Sequence, residues 1–212
     1  ETTDRDLADN AYDPELRVFD MKPAHTTDAV SWPVSFLDSL NRLEYYRPTQ
    51  WRGTTPETAR STSAIAYQFA RELRDSLHVP VGIIINAVGG APTEAWIDRY
   101  TLEHEFPQIL RHWRTNDFIM PWVRERAALN VKLQDTPLTR HPYAPTYLFD
   151  TGIRPLARFP IRGILWYQGE SNAHNIEAHA RLFPLLVTSW RQVFSFNIPF
   201  YYVQLSSMNR PS

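Results

Sequence analysis

The stretch VPVGIIINAVGGAPTEAW, Val79 to Trp96, carries the fold class. Its apolar run, Val81–Ile85, is continuous and rich in β-branched residues, which predicts a strand buried on both faces, as in a parallel sheet. Two adjacent glycines, Gly89 and Gly90, then mark a tight turn where the backbone comes close to another group. Thr93 is placed to cap a short helix starting at Glu94. Upstream, Ile65, Phe69, Leu73 and Leu77 recur every four residues with Ala66 and Ala70 beside them, which predicts a helix. Ser61, Thr62 and Ser63 are its candidate caps, and His78 and Pro80 end it. Downstream the pattern repeats: Ile161–Tyr167 reads as a second buried strand and leads into Gln168-Gly169-Glu170-Ser171-Asn172. A helix over Ile176 to Phe194 follows, which Pro184 should bend or divide. Ile198–Leu205 is a third strand, and Leu16–Met21 a short one in the otherwise irregular first 60 residues. Residues 98–145 read as a mostly helical, charged insertion that ends in a proline-rich connection, Pro137 to Pro145.

Helices alternating with buried strands predict an α/β fold with a parallel sheet and helices on its faces. In such sheets ligands bind at the carboxyl ends of the strands. Both glycine-containing loops, Gly89–Thr93 and Gln168–Asn172, fall there, on neighbouring strands by this reading. The composition narrows the chemistry. With 212 residues the chain is long enough for one sizeable domain, and a net charge of −1 points to neither nucleic acid nor an anionic membrane as partner. Cysteine is absent, which removes disulfides and thiolate metal sites. The histidines show no metal-ligand spacing. No apolar run approaches the ~20 residues of a membrane-spanning helix, and the charged Glu1–Asp9 stretch is not a signal peptide. Seven Trp, ten Tyr and eleven Phe suit stacking on sugar rings, although core packing accounts for most aromatic residues.

The loops can do specific work. The Gly89-Gly90 turn can present bare backbone N–H groups, and Gln168 a side-chain amide; together these make an oxyanion hole, which needs fixed donors aimed at a tetrahedral intermediate. Taken alone, Gly-Gly is more often a plain strand-to-helix turn. Glu170 is either an acid/base or substrate-binding carboxylate, or a structural one that accepts backbone N–H bonds. Glu94 holds a similar place on the other loop, so a glycosidase using Glu94 and Glu170 is a rival reading. Asp75-Ser76-Leu77-His78 has the Asp-x-x-His spacing of an acid–base pair, but it ends a helix ahead of a strand, at the wrong end of the sheet. His174 follows the second loop and reads as a surface histidine. Ser61, Ser63 and Ser171 are poor nucleophiles, being helix-start residues or lacking a neighbouring base.

Trp51 to Leu73, Val79 to Trp96, Pro145 to Asn172 with its WYQGESN, and Phe200 to Ser206 resemble, in order, successive segments of the sialate O-acetylesterase-like family of SGNH hydrolases. The resemblance covers roughly residues 47–206 and is weak over 98–140. It implies a three-layer α/β/α sandwich, with 1–212 as part of a single esterase domain, and a carbohydrate O-acetylesterase that cleaves acetyl esters on sugars such as 9-O-acetyl sialic acid, with a serine nucleophile and no cofactor. A secreted or periplasmic location is implied with it. The family's oxyanion glycine maps onto Gly89 or Gly90, with Gly90 favoured, and its polar donor onto Gln168 with Glu170 beside it. Thr93, Glu94, Trp96, Tyr167 and Asn172 are the substrate-binding candidates. The family's Gly-Gln-Ser-Asn motif does not occur in this sequence, and no suitable Asp-x-x-His follows Ser206. The expectation is therefore an internal portion, whose nucleophile, Asp and His come from remaining segments of the same protein or from a second chain. Without the family's first strand, Val81–Ile85 should face a gap in the ladder, its side chains partly bare. If nothing supplies the triad, a non-catalytic carbohydrate-binding or scaffolding fragment remains.

Overall fold

A computed structural model describes residues 11–205; Glu1–Asp9 and Ser206 lie outside them. Numbered along the chain, the elements are β1 (Asp13–Asp20), α1 (Val34–Asn41), β2 (Arg52–Thr54), α2 (Pro56–Ser61), α3 (Ala64–Leu77), β3 (Val81–Ile85), α4 (Arg99–Glu105), α5 (Pro121–Asn130), β4 (Ile164–Trp166), α6 (Ile176–Phe194) and β5 (Phe200–Tyr202). This is an α/β chain, and its described residues fall into two compact units, 11–24 with 46–87, and 25–45 with 88–205.

In the first unit β1 is central. It pairs antiparallel with β2 and parallel with β3, Leu16 facing Val81 and Asp20 facing Ile85. Thr55 accepts the Thr58 N–H at the start of α2, and Ser63 accepts the Ala66 N–H at the start of α3, so of the expected caps Ser63 is the one used. His78, in the left-handed conformation, closes α3. The periodicity located this helix but not its buried face. Tyr67 and Ala70 pack with Leu16, Ala59, Val81 and Ile83, while Ile65 and Leu77 stand 55% and 57% exposed. The small Ala70, with no exposure, faces the sheet, and the larger Ile65–Leu77 ridge faces outward. Val81–Ile85 is likewise not buried on both faces. It is an edge strand, its isoleucines only half-buried.

In the second unit β4 and β5 pair in parallel, Ile164 facing Phe200. The expected neighbouring strands Val81–Ile85 and Ile161–Tyr167 thus belong to different sheets, one mixed and one parallel. Asn175 caps α6 by accepting the Ala178 N–H, and α6 runs through Pro184 as one helix instead of being divided there. A helix interior loses one backbone bond at proline, and α6 offsets this with an aromatic face: Trp190 meets Trp166 at 5.7 Å and Phe200 at 5.8 Å, and its indole N–H donates to the Trp96 carbonyl.

Helix α5 is bound to the 26–32 segment chiefly through Asn130. Asn130 donates to the Asp28 and Val30 carbonyls and is itself buried. Its remaining oxygen faces His141 Nε2 at 3.2 Å, while His141 Nδ1 accepts the Tyr143 N–H. That pattern fixes one neutral tautomer, with the ring stacked on Trp32 at 5.0 Å. Burial holds the His141 pKa well below its ordinary value. The unfolded chain therefore takes up a proton that the folded chain refuses: this contribution to stability is complete above about pH 6.5 and is lost as pH falls below it, by up to ~1.4 kcal/mol per pH unit. His179, also lowered by burial, acts in the same sense. Glu94, raised to about 7, acts in the opposite one. We expect urea unfolding at pH 8, 6 and 5 to show a shallower acid loss for His141→Gln than for the parent; parallel losses would show that His141 titrates normally.

Candidate functional site

The Gly89 carbonyl accepts two hydroxyl hydrogens, from Thr27 Oγ1 at 2.8 Å and from Tyr143 Oη at 2.7 Å. Burial raises the Tyr143 phenol above its ordinary value, so it stays a donor. Across a trans peptide the N–H points opposite to the preceding carbonyl. The two hydroxyls therefore aim the Gly90 N–H away from themselves, and among the described residues no acceptor takes it. Gly90 has φ +74°, and a Cβ there would lie 2.5 Å from both the Trp122 ring and the Tyr143 hydroxyl. Glycine is required here by conformation and by space. Helix α5 supplies Trp122, with the Arg126 guanidinium 5.1 Å over its ring and donating to the Thr27 carbonyl. The 98–145 segment is thus the floor of the glycine turn.

The second loop is hydrogen-bonded to the first. Ser171 Oγ donates to the Gly90 carbonyl at 2.9 Å, and Gln168 Nε2 donates to the Ala91 carbonyl at 3.1 Å and to Asn172 Oδ1 at 2.9 Å. Thr93 Oγ1 donates to Gln168 Oε1 at 2.7 Å, and the Thr93 N–H to Asn172 Oδ1 at 2.9 Å. Asn172 Nδ2 reaches Glu94 Oε2 at 2.8 Å. Glu94 is fully buried, its other oxygen has no hydrogen-bond partner among the described residues, and burial pushes its pKa up to about 7. His179 Nδ1 lies 3.5 Å from Thr93 Oγ1.

The structure brings Gly89, Gly90, Gln168, Thr93, Glu94 and Asn172 together, with Glu170 half-buried and Tyr167 57% exposed at the rim. Several expected roles need correction. Thr93 does not cap the short 3-10 helix Thr93–Trp96; its hydroxyl is used between the loops. Thr93, Glu94, Trp96 and Asn172 are all buried, which excludes them from direct substrate contact. Trp96 is core, edge-on to Trp166 at 6.3 Å. A glycosidase carboxylate must reach sugar or water, and Glu94 reaches neither. Ser171 gives its hydrogen to a carbonyl, so it is no nucleophile, and His174 is exposed. Sequence reasoning missed Thr27, Trp122, Tyr143 and His179. The first three come from irregular or inserted segments with no periodic signal; His179 had one, since it lies one helical turn beyond Asn175 on the helix that follows the loop.

Residues 148–212 match the family model for carbohydrate esterase, sialic acid-specific acetylesterase. The sialate O-acetylesterase of Rattus norvegicus is 31% identical over 163 residues, covering 68% of this chain and 30% of that protein. The Homo sapiens sialate O-acetylesterase is 29% identical over 175 residues, covering 74% of this chain and 29% of that protein. Among solved structures, a carbohydrate acetylesterase from Xanthomonas citri is similar at a TM-score of 0.64 and 26% identity, over 96% of this chain and 37% of that one. The chain spans about a third of the length of these relatives.

Proposed function

Because this chain is related to the sialate O-acetylesterases, we propose that it forms the oxyanion-binding part of a carbohydrate O-acetylesterase, within an SGNH-type three-layer domain. The observation that carries this reading is the aimed Gly90 N–H: its peptide is held from behind by Thr27 and Tyr143, so the donor needs no reorganisation when negative charge develops. In this reading a serine from outside these residues attacks the acetyl carbonyl, a histidine takes its proton, and an aspartate orients the histidine. The carbonyl oxygen becomes an oxyanion against Gly90 and collapses back to a carbonyl as the sugar oxygen leaves with the proton from the histidine. Water, deprotonated by the same histidine, then cleaves the acetyl-serine through a second oxyanion and frees acetate. Gln168 is the second donor. Both its amide hydrogens are held within the loops, so it serves the oxyanion by exchanging the Ala91 carbonyl for it. The substrate is an O-acetylated sugar such as 9-O-acetyl sialic acid.

We expect no acetate release from O-acetylated sialic acid by residues 1–212 alone, and release once the segments flanking this chain in its gene are joined to it. Release by neither would leave the rival, a non-catalytic carbohydrate-binding piece. Release by residues 1–212 alone would show that the nucleophile lies within them.

A further inference from the structure

The buried carboxyl of Glu94 stands at one end of a hydrogen-bond chain that has a single direction. Glu94 Oε2 accepts from Asn172 Nδ2, Asn172 Oδ1 accepts from Gln168 Nε2, and Gln168 Oε1 accepts from Thr93 Oγ1. A side-chain amide fits its cavity in two orientations 180° apart, and only its partners choose between them. If Asn172 were reversed, its oxygen would face the Glu94 oxygen, and its NH2 would face both the Thr93 N–H and the Gln168 NH2. With the carboxyl ionised, acceptor would meet acceptor, and donor would meet donor at the Thr93 N–H and the Gln168 NH2, around a buried Asn172. A reversed Gln168 would put its oxygen against the Ala91 carbonyl.

We propose that Glu94 is a positioning residue for Gln168, acting through Asn172, so that nitrogen and not oxygen faces the Gly90–Ala91 turn. Its importance for ester hydrolysis rests on the function proposed above; the orientation itself does not. Glu94 touches no substrate, being fully buried. Its Oε1 has no hydrogen-bond partner among the described residues, so its side-chain attachment to the network is the Asn172 bond. A neutral carboxyl still accepts through its carbonyl oxygen, and an ionised one polarises the two amides further. The titratable groups on the elements packed against it are few. On α6, His179 contacts Thr93, while Arg181 and Arg191 turn to the carbonyls of Glu105 and Ile198. Asp150, on the turn Phe149–Ile153, is paired with Arg154, and Glu170 begins the short helix Glu170–Asn172 within the second loop.

The test is nuclear magnetic resonance on the 15N-labelled chain, reading the side-chain NH2 groups of Asn172 and Gln168. In the parent both should exchange slowly with solvent. Glu94→Leu should speed exchange of both at least tenfold, while the Trp190 indole, bonded to the Trp96 carbonyl, keeps its signal. Glu94→Gln, which retains an acceptor, should restore the slow exchange. Unchanged Gln168 protection in Glu94→Leu, or no rescue by Glu94→Gln, overturns the proposal. Should Glu94→Leu not fold, the parent answers: raising pH from 5 to 9 should move the Asn172 NH2 signals together with the Glu94 carboxyl carbon, and still Asn172 signals overturn it. None of these readouts involves acetate, so a chain that shows the coupling but never supports ester cleavage would overturn the functional reading and leave this one standing.

Discussion

Gly90→Ala is expected to destabilise the chain by about 2–5 kcal/mol. An L-residue at φ +74° costs roughly 1–2 kcal/mol, and forcing a methyl into occupied space costs ~1–3 kcal/mol more. The added carbon would lie 2.5 Å from Tyr143, a residue with no exposure, and from the Trp122 ring. One of them must move or the turn must open. For a chain of this size the melting temperature should fall by roughly 5–15 °C. On the function proposed above, the turn would no longer hold the Gly90 N–H in line, and kcat for acetate release should fall about a hundredfold or more. A variant that melts with the parent would show that the turn is not held as described.

The second large effect is expected of Gln168→Ala, and it differs from what the loop sequence alone suggests. An oxyanion donor at a loop tip should be removable at little cost to folding. Here the amide occupies the middle of the network, so its loss strands the carbonyl of buried Ala91 and takes one of two acceptors from the Thr93 hydroxyl, which keeps Asn172 Oδ1 at 3.0 Å. Each stranded buried group costs ~1–3 kcal/mol. The variant should therefore unfold at lower urea, and on the function proposed above should lose about a hundredfold in kcat. Activity within a factor of two of the parent would remove Gln168 from the mechanism. Unchanged urea stability would show that the network rearranges around the gap.

These two cases mark what the sequence carries and what it does not. Val81–Ile85 was legible to the residue, since a β-branched run bounded by Pro80 and a polar loop has few other readings. The two loops were legible as a pair because each follows such a run. Their roles were less so. Buried polar side chains such as Thr93, Glu94 and Asn172 look on paper like surface groups ready for a ligand, and only packing shows that they satisfy one another. The hydroxyls that aim the turn come from Thr27 and Tyr143, separated from Gly89 by 62 and 54 positions, with no motif between. Helix α3 shows the complementary limit. Its period was clear, yet Ala70, the least conspicuous residue of the pattern, faces the core.

Trp122 rests against Gly90 and is 38% exposed, which gives the turn its own optical gauge. Indole emission responds to the polarity and wetness of its surroundings. On the function proposed above, a sugar ester settling on the Gly90 N–H would dry one face of that ring, and an opened turn would wet it. With the other six tryptophans as a steady background checked by Trp122→Phe, the colour of a single ring reports whether the site is filled, before any bond in the substrate is broken.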